Sequence, residues 1–324
     1  MNANPLRSVY RTGSSVLSEL YARNRVLCLV AVANLSLAVV FTALMVLDGR
    51  TLLGRNVWTK PWKFATSIAI FTGTMGWILP SLSLSNRVET LATTVIGSAM
   101  TIEIVLISTQ AARGVASHFN DSTPLNTAVY AIMGITITIS SLVVAYVLWR
   151  VVRNPPNLAL AYLWGIGIGM FVFVIASFEG WLMVSQGGHG VGVANDAPGL
   201  PLVNWSVTGG DLRVAHFIGL HALQVVPLAG YIVSRWEALS TRQSIVGVGL
   251  IGVLYSGITV VTFIQAILGH PLIGSVIAPW LSPSLAAGIL LIGSVCVMLW
   301  LAATWQRSER HIRENSIELG SELF

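Results

Sequence analysis

The sequence predicts an all-α, polytopic integral membrane protein with about eight transmembrane helices and both termini in the cytoplasm. Its 324 residues are 54% hydrophobic and only 10% charged, whereas a soluble domain normally carries about 25% charged residues. Eight apolar runs are long enough to cross a hydrocarbon core of about 30 Å, which takes about 20 helical residues. A single transmembrane domain over residues 1–324, with the lipid bilayer as its partner, is therefore expected.

The predicted spans follow one another along the chain, separated by short polar loops. Only the third contains an acidic residue within its apolar run, Glu103. The segment Pro271–Ser282 is apolar but too short to span, and the prolines around it predict an interfacial or re-entrant connection. The predicted spans are Val26–Leu47, Phe64–Asn86, Thr90–Ala112, Thr127–Trp149, Asn157–Phe178, Val214–Ser234, Gln243–Gly269 and Ser284–Trp305.

The basic residues predict the orientation of these spans. With the N-terminus inside, twelve lysines and arginines fall on the inner side and six on the outer side, as the positive-inside rule requires. This scatter over short loops accounts for the net charge of +5 without a nucleic-acid partner. We expect a multi-pass protein of the plasma (cell) membrane, and the sequence indicates no oligomeric state.

Histidines and charged residues concentrate toward the predicted outer side. An ionisable residue deep in a membrane is costly and normally faces the bundle interior or a wet cavity. Glu103 and His221 lie roughly 13 Å and 12 Å below the outer ends of their spans, at a helical rise of about 1.5 Å per residue. This matched depth predicts that the two side chains face each other. The outer-side histidines are His118, His189, His216, His221 and His270.

A polar stripe follows the third span. Glu103, Gln110 and Ser117 recur every seven residues, which on a straight helix drifts only about 20° per step. If the helix extends, His118 and Asp121 continue the stripe. It predicts either an interhelical hydrogen-bonded seam or a cavity that leads from the outer surface to Glu103.

The start of the sixth span brings two histidines together. His216 and His221 are five residues apart, so they point about 140° from each other on a regular helix. A chelating pair on one helix is normally four apart, as in H-E-x-x-H. His118, His216 and His221 are the predicted metal ligands. Haem or a divalent metal is the candidate cofactor.

Lys60 and Lys63 stand in the first turn of the second span and are the only lysines in the chain. The helix dipole disfavours cations there. One interpretation is a site for an anionic or lipid-like ligand at the outer face, bound by the ammonium groups and exposed N–H groups. The other is that both side chains extend to lipid headgroups.

Three classes of function stay open, and whether the protein is an enzyme is not decided. The first is a membrane enzyme or haem- or metal-binding protein with a His/Glu site open to the outer face. The second is a proton-coupled transporter that uses Glu103, and the third is a non-catalytic sensor or assembly subunit. The sequence has no G-x-S-x-G, H-E-x-x-H or Walker motif, which argues against the hydrolases, zinc peptidases and nucleotide-binding enzymes that carry them.

The candidate site residues fall into two groups. Predicted acid–base or otherwise catalytic residues are Glu103, His221, His118 and Asp211. Predicted substrate-binding residues are Lys60, Lys63, Gln110, Arg113, Arg213 and Gln224.

Overall fold

The computed structural model of the chain describes residues 15–197 and 199–273. This part contains seven helices that are long and apolar enough to cross a membrane, which confirms the all-α, polytopic fold. The predicted eighth span and residues 274–282 of the predicted re-entrant segment lie outside the described residues. The helices are α1 Arg25–Leu47, α2 Thr59–Ile78, α3 Asn86–Ala112, α4 Pro124–Arg153, α5 Leu160–Ser185, α6 Leu212–Ser234 and α7 Thr241–Ile267.

The ends of α2 depart most from the predicted span. The helix begins five residues earlier, at Thr59, so both lysines of the predicted anion site belong to it. It gives way after Ile78 to a short 3₁₀ segment, Leu79–Leu82, and Ser83 follows with a φ of 52°. Pro80 lacks the N–H that would continue the α-helical hydrogen bonds, which explains the early end.

Polar caps extend several helices beyond their apolar runs. The Thr123 side chain accepts a hydrogen bond from the Asn126 N–H, and Pro124 occupies the first position of α4, where its missing N–H costs nothing. Ser240 and Gln243 form a reciprocal capping box at the start of α7. Hydropathy marks only the lipid-facing stretch, whereas the hydrogen bonds continue through the capped ends.

Helix α3 ends in a tight turn. Gly114 has a φ of 71°, and the N–H groups of Gly114 and Val115 donate to the Ala111 and Gln110 carbonyls. This is the Schellman pattern, which glycine favours because it has no Cβ. The helix therefore stops before His118 and Asp121, so the helical extension considered for the polar stripe does not occur.

Two small hairpins lie beside the helix ends. Strands β1 Thr51–Leu52 and β2 Arg55–Asn56 pair antiparallel around a turn of Leu53 and Gly54, both with positive φ, as a two-residue hairpin requires. Arg50 Nη1 donates to the Ala112 carbonyl at 2.9 Å, so this hairpin adjoins the end of α3. Strands β3 Gly190–Val191 and β4 Gly210–Asp211 form the second hairpin.

The chain divides into two compact units. Among the described residues, unit 1 comprises 15–157 and 181–188, and unit 2 comprises 158–180, 189–197 and 199–273. In unit 1, α1, α2 and α3 pack mutually and α4 packs on α3. In unit 2, α6 packs on α7 and approaches α5 closely, because a Cβ at Gly165 would lie 2.8 Å from the Val226 carbonyl oxygen.

Candidate functional site

Glu103 is the deepest acidic residue of unit 1. It lies nine residues before the end of α3 at Ala112, or ~13 Å along the axis, and only 4% of it is exposed. Thr136 on α4 donates a hydrogen bond from Oγ1 to Glu103 Oε1 at 3.1 Å. Glu103 therefore faces the interior of unit 1, as its position in the sequence predicts.

Lys60 lies in the first turn of α2 and is partly buried. Its charge acts on both Glu103 and His118, and its Nζ lies 5.8 Å from the centre of the Phe64 ring. Lys63 is also partly buried. Ligand binding and contact with lipid headgroups both stay predictions for these two lysines.

His118 lies in the loop between α3 and α4 and is surrounded by rings. The centres of the Phe64, Phe119 and Tyr130 rings lie 5.7, 6.3 and 6.0 Å from that of His118. Ser117 Oγ is 3.2 Å from Nδ1. Burial, with a smaller contribution from the Lys60 charge, holds the pKa of His118 well below its usual range. The imidazole is therefore neutral at pH 7 and is able to accept a proton only when another charge compensates it.

Tyr130 is a member of this cluster that sequence reasoning missed. Its hydroxyl oxygen is buried and has no hydrogen-bond partner. An unpaired buried hydroxyl costs on the order of 1–3 kcal/mol, so such a group in a native fold calls for an explanation. A tyrosine in an apolar span gives no signal in the sequence, because its neighbours belong to other elements.

Gln110 and Arg113 form a hydrogen-bonded seam with Asn126, another residue that the sequence did not indicate. Gln110 Nε2 donates to Asn126 Oδ1 at 3.1 Å. Arg113 Nη1 donates to Gln110 Oε1 at 2.5 Å and to Asn126 Oδ1 at 3.1 Å. Gln110 is only 1% exposed. Gln110 of the polar stripe therefore connects α3 to α4 through this seam, whereas Glu103 takes no part in it.

Asp211 is the centre of a second polar cluster, in unit 2. Arg213 Nη2 lies 2.6 Å from Asp211 Oδ2, and His189 Nδ1 lies 3.5 Å from Oδ1. The Ser206 N–H also donates to this carboxylate. Burial opposes ionisation, but the hydrogen bonds from Arg213 and the proximity of His189 prevail and hold the pKa of Asp211 well below its usual range. A permanently ionised carboxylate is a poor proton carrier, so the geometry favours a structural role for Asp211 and Arg213.

His216 and His221 lie on α6 in unit 2. Nδ1 of His216 is 2.7 Å from the Ala176 carbonyl oxygen, and Nδ1 of His221 is 2.8 Å from that of Phe217. A carbonyl only accepts, so each Nδ1 carries the proton, and in the neutral ring Nε2 keeps its lone pair. Both rings are thus in the tautomer that a metal-ligating histidine with a backbone partner adopts.

A metal site with several protein ligands finds no support in the part of the chain that the structure describes. No group of three or more His, Cys, Asp or Glu side chains there is placed to hold an ion. We therefore derive no chemical step through a metal. Gln224 is partly buried on α6. Glu103 belongs to unit 1 and His221 to unit 2, and their predicted pairing stays a prediction.

Comparisons with protein-family models, with curated proteins and with solved structures each found no match for this chain.

Proposed function

We propose that this multi-pass membrane protein is an enzyme whose unit 1 carries an acid–base site, open to the outer face of the plasma membrane. Glu103 would exchange a proton with a bound substrate, His118 would act as a neutral acceptor or hydrogen-bonding group, and Lys60 would bind and orient the substrate. The observation that carries the proposal is the buried Glu103 carboxyl with its hydrogen bond from Thr136, in the same unit as His118 and Lys60, which both lie against the Phe64 ring.

The chemistry of these groups supports this division of roles. A general acid or base needs a carboxyl group that gains and loses its proton near the working pH, which burial makes attainable for a glutamate. Glu103 is buried and accepts a hydrogen bond from Thr136. Burial and hydrogen bonding are the means by which proteins adjust the protonation of such carboxyl groups.

Infrared spectroscopy tests the proposal without knowledge of the substrate. The purified protein in lipid nanodiscs would be titrated across neutral pH while the carboxyl C=O band is recorded. We expect a pH-dependent band that loses the Glu103 contribution in Glu103→Gln, whereas the buried Glu179 carboxyl keeps its own. Glu89→Gln is the matched control, because Glu89 lies on the same helix but in its first turn. A titration unchanged by Glu103→Gln would overturn the acid–base role.

A proton-coupled transporter is the second candidate. In α1–α4, Glu103 is the only carboxylate that lies more than one turn from a helix end, the position expected of a group that carries a proton across a membrane. Proteoliposomes with an internal pH indicator distinguish the two functions. A transporter would move protons together with its substrate and lose this flux in Glu103→Gln, whereas an enzyme would turn over substrate without net proton flux.

A further inference from the structure

The charge balance around Glu103 restricts what can bind beside it. Among the described residues, the charge that acts on both Glu103 and His118 is that of Lys60. His118 itself is neutral for the reasons given above, and the Thr136 and Tyr130 hydroxyls are uncharged. Lys60 and an ionised Glu103 therefore carry opposite charges.

The neighbouring helix α1 and the end of α3 contribute little charge to this pair. Helix α1, which packs against α2 and α3, contains no Asp, Glu, Lys or His, and its one arginine is its first residue, Arg25. Arg113 at the end of α3 is engaged with Gln110 and Asn126. A ligand anion that binds at Lys60 would therefore confront the Glu103 carboxylate unless Glu103 takes up a proton.

Tyr130 and His118 provide the remaining contacts. The Tyr130 hydroxyl is buried without a partner, and its ring packs on those of His118 and Phe119 at 6.0 and 5.5 Å. An acceptor oxygen of a ligand would satisfy this hydroxyl. The walls of the cluster are the aromatic rings of Phe64 and Phe119, which suit an apolar chain better than a hydrated one.

We infer that the site takes the head of a lipid-soluble monocarboxylate, which pairs with Lys60 and accepts a hydrogen bond from Tyr130, and that Glu103 is protonated as the anion binds. This inference rests on the proposed acid–base site and specifies its substrate class. A doubly charged phosphate head would bring a second negative charge beside the Glu103 carboxyl group, so the site discriminates against it. A neutral ester carries no negative charge that could pair with Lys60, so it should bind more weakly than the carboxylate.

Calorimetry with decanoate tests the inference directly. The wild-type protein in detergent would be titrated with decanoate at pH 7 in two buffers of different ionisation enthalpy. We expect binding with uptake of about one proton per site. Methyl decanoate and decyl phosphate should each bind at least about tenfold more weakly than decanoate. The ester loses the charged hydrogen bond with Lys60, and the phosphate brings an additional negative charge to Glu103.

Variants assign the effect to named side chains. Tyr130→Phe should weaken decanoate binding about fivefold and Lys60→Gln more than tenfold. Tyr146→Phe and Arg87→Gln are the matched controls, since both residues are exposed and lie elsewhere on α4 and α3, and binding should be unchanged. In Glu103→Gln, decanoate should still bind but without proton uptake.

Three results would overturn the inference: equal affinity for decanoate and methyl decanoate, binding by the wild type without proton uptake, or unchanged affinity in Tyr130→Phe. The affinity of Tyr130→Phe still tests the inference if Lys60→Gln fails to fold. If decanoate does not bind while the Glu103 infrared band still titrates, this inference fails and the acid–base site stands. If Glu103→Gln leaves the infrared titration unchanged, the proposed function itself fails.

Discussion

Thr136 on α4 donates a hydrogen bond to the Glu103 carboxylate on α3, with 3.1 Å between Oγ1 and Oε1. The same hydroxyl lies 2.9 Å from the Ile132 carbonyl oxygen of its own helix, so its single hydrogen is shared between that carbonyl and the Glu103 carboxylate. Glu103 is therefore held between a neutral donor on one helix and the charge of Lys60 from another. This arrangement connects the packing of unit 1 to its proposed chemistry.

Two glycines on α5 provide a matched test of helix packing in unit 2. A Cβ at Gly165 would meet the Val226 carbonyl oxygen at 2.8 Å, whereas nothing lies within 4 Å of one at Gly167. We expect Gly165→Ala to destabilise the protein by about 1–3 kcal/mol through overpacking. Gly167→Ala should be neutral or stabilise by up to about 1 kcal/mol.

Thermal unfolding of both variants in detergent measures these effects. Equal unfolding temperatures for the two variants would show that α5 and α6 are not in the close contact described.

The Asp211 cluster predicts a pH dependence of stability. The folded-state pKa of Asp211 lies well below the usual range, and in the unfolded chain it returns to about 3.9. The stabilisation is thus fully present above about pH 4 and is lost as the pH falls toward the folded-state pKa. Asp211→Asn should lower stability at pH 7 by about 3 kcal/mol, because it leaves Arg213 without its buried partner.

Unfolding temperatures of the wild type and Asp211→Asn, compared from pH 7 down to pH 3, check this prediction. The difference between them should shrink as the pH falls. Asp196→Asn is the control, because Asp196 is an exposed acid of the same loop. A constant difference over the whole pH range would contradict the electrostatic explanation.

The tautomers of His216 and His221 are compatible with haem as the cofactor. His216 and His221 each carry the proton on Nδ1, so either Nε2 is available to an iron atom. If haem is the cofactor, the purified protein should show a Soret band that His216→Ala or His221→Ala shifts or removes. A spectrum with protein absorption alone, together with metal analysis that finds no iron, would reject haem for this chain.

The sequence predicted the architecture well and the site only in part. Seven spans could be read from hydropathy, because lipid contact requires long uninterrupted apolar helices, and the burial of Glu103 followed from the cost of exposing a carboxyl group to lipid. The early end of α2 was missed, although Pro80 is visible in the sequence.

Contacts between helices were beyond sequence reasoning. Thr136, Tyr130 and Asn126 belong to α4, and nothing in a single sequence specifies which of its faces meets α3. The hydrogen bonds of Gln110 with Arg113 and Asn126 were beyond the sequence for the same reason, and its substrate-binding role stays a prediction. A single sequence indicates the type of a residue and its depth in the membrane, whereas its contacts with other helices are known only from the structure.

A double-mutant cycle between Lys60 and Glu103 tests the central claim most directly. Thermal unfolding in detergent at pH 7 would be measured for the wild type, Lys60→Gln, Glu103→Gln and the double variant. If the Lys60 charge acts on the buried Glu103 carboxyl, the two effects should be coupled by about 1 kcal/mol or more, with Lys60→Gln less costly once Glu103 is neutral. Additive effects, within about 0.5 kcal/mol, would contradict the account, because Lys60 and Glu103 would then not belong to one site.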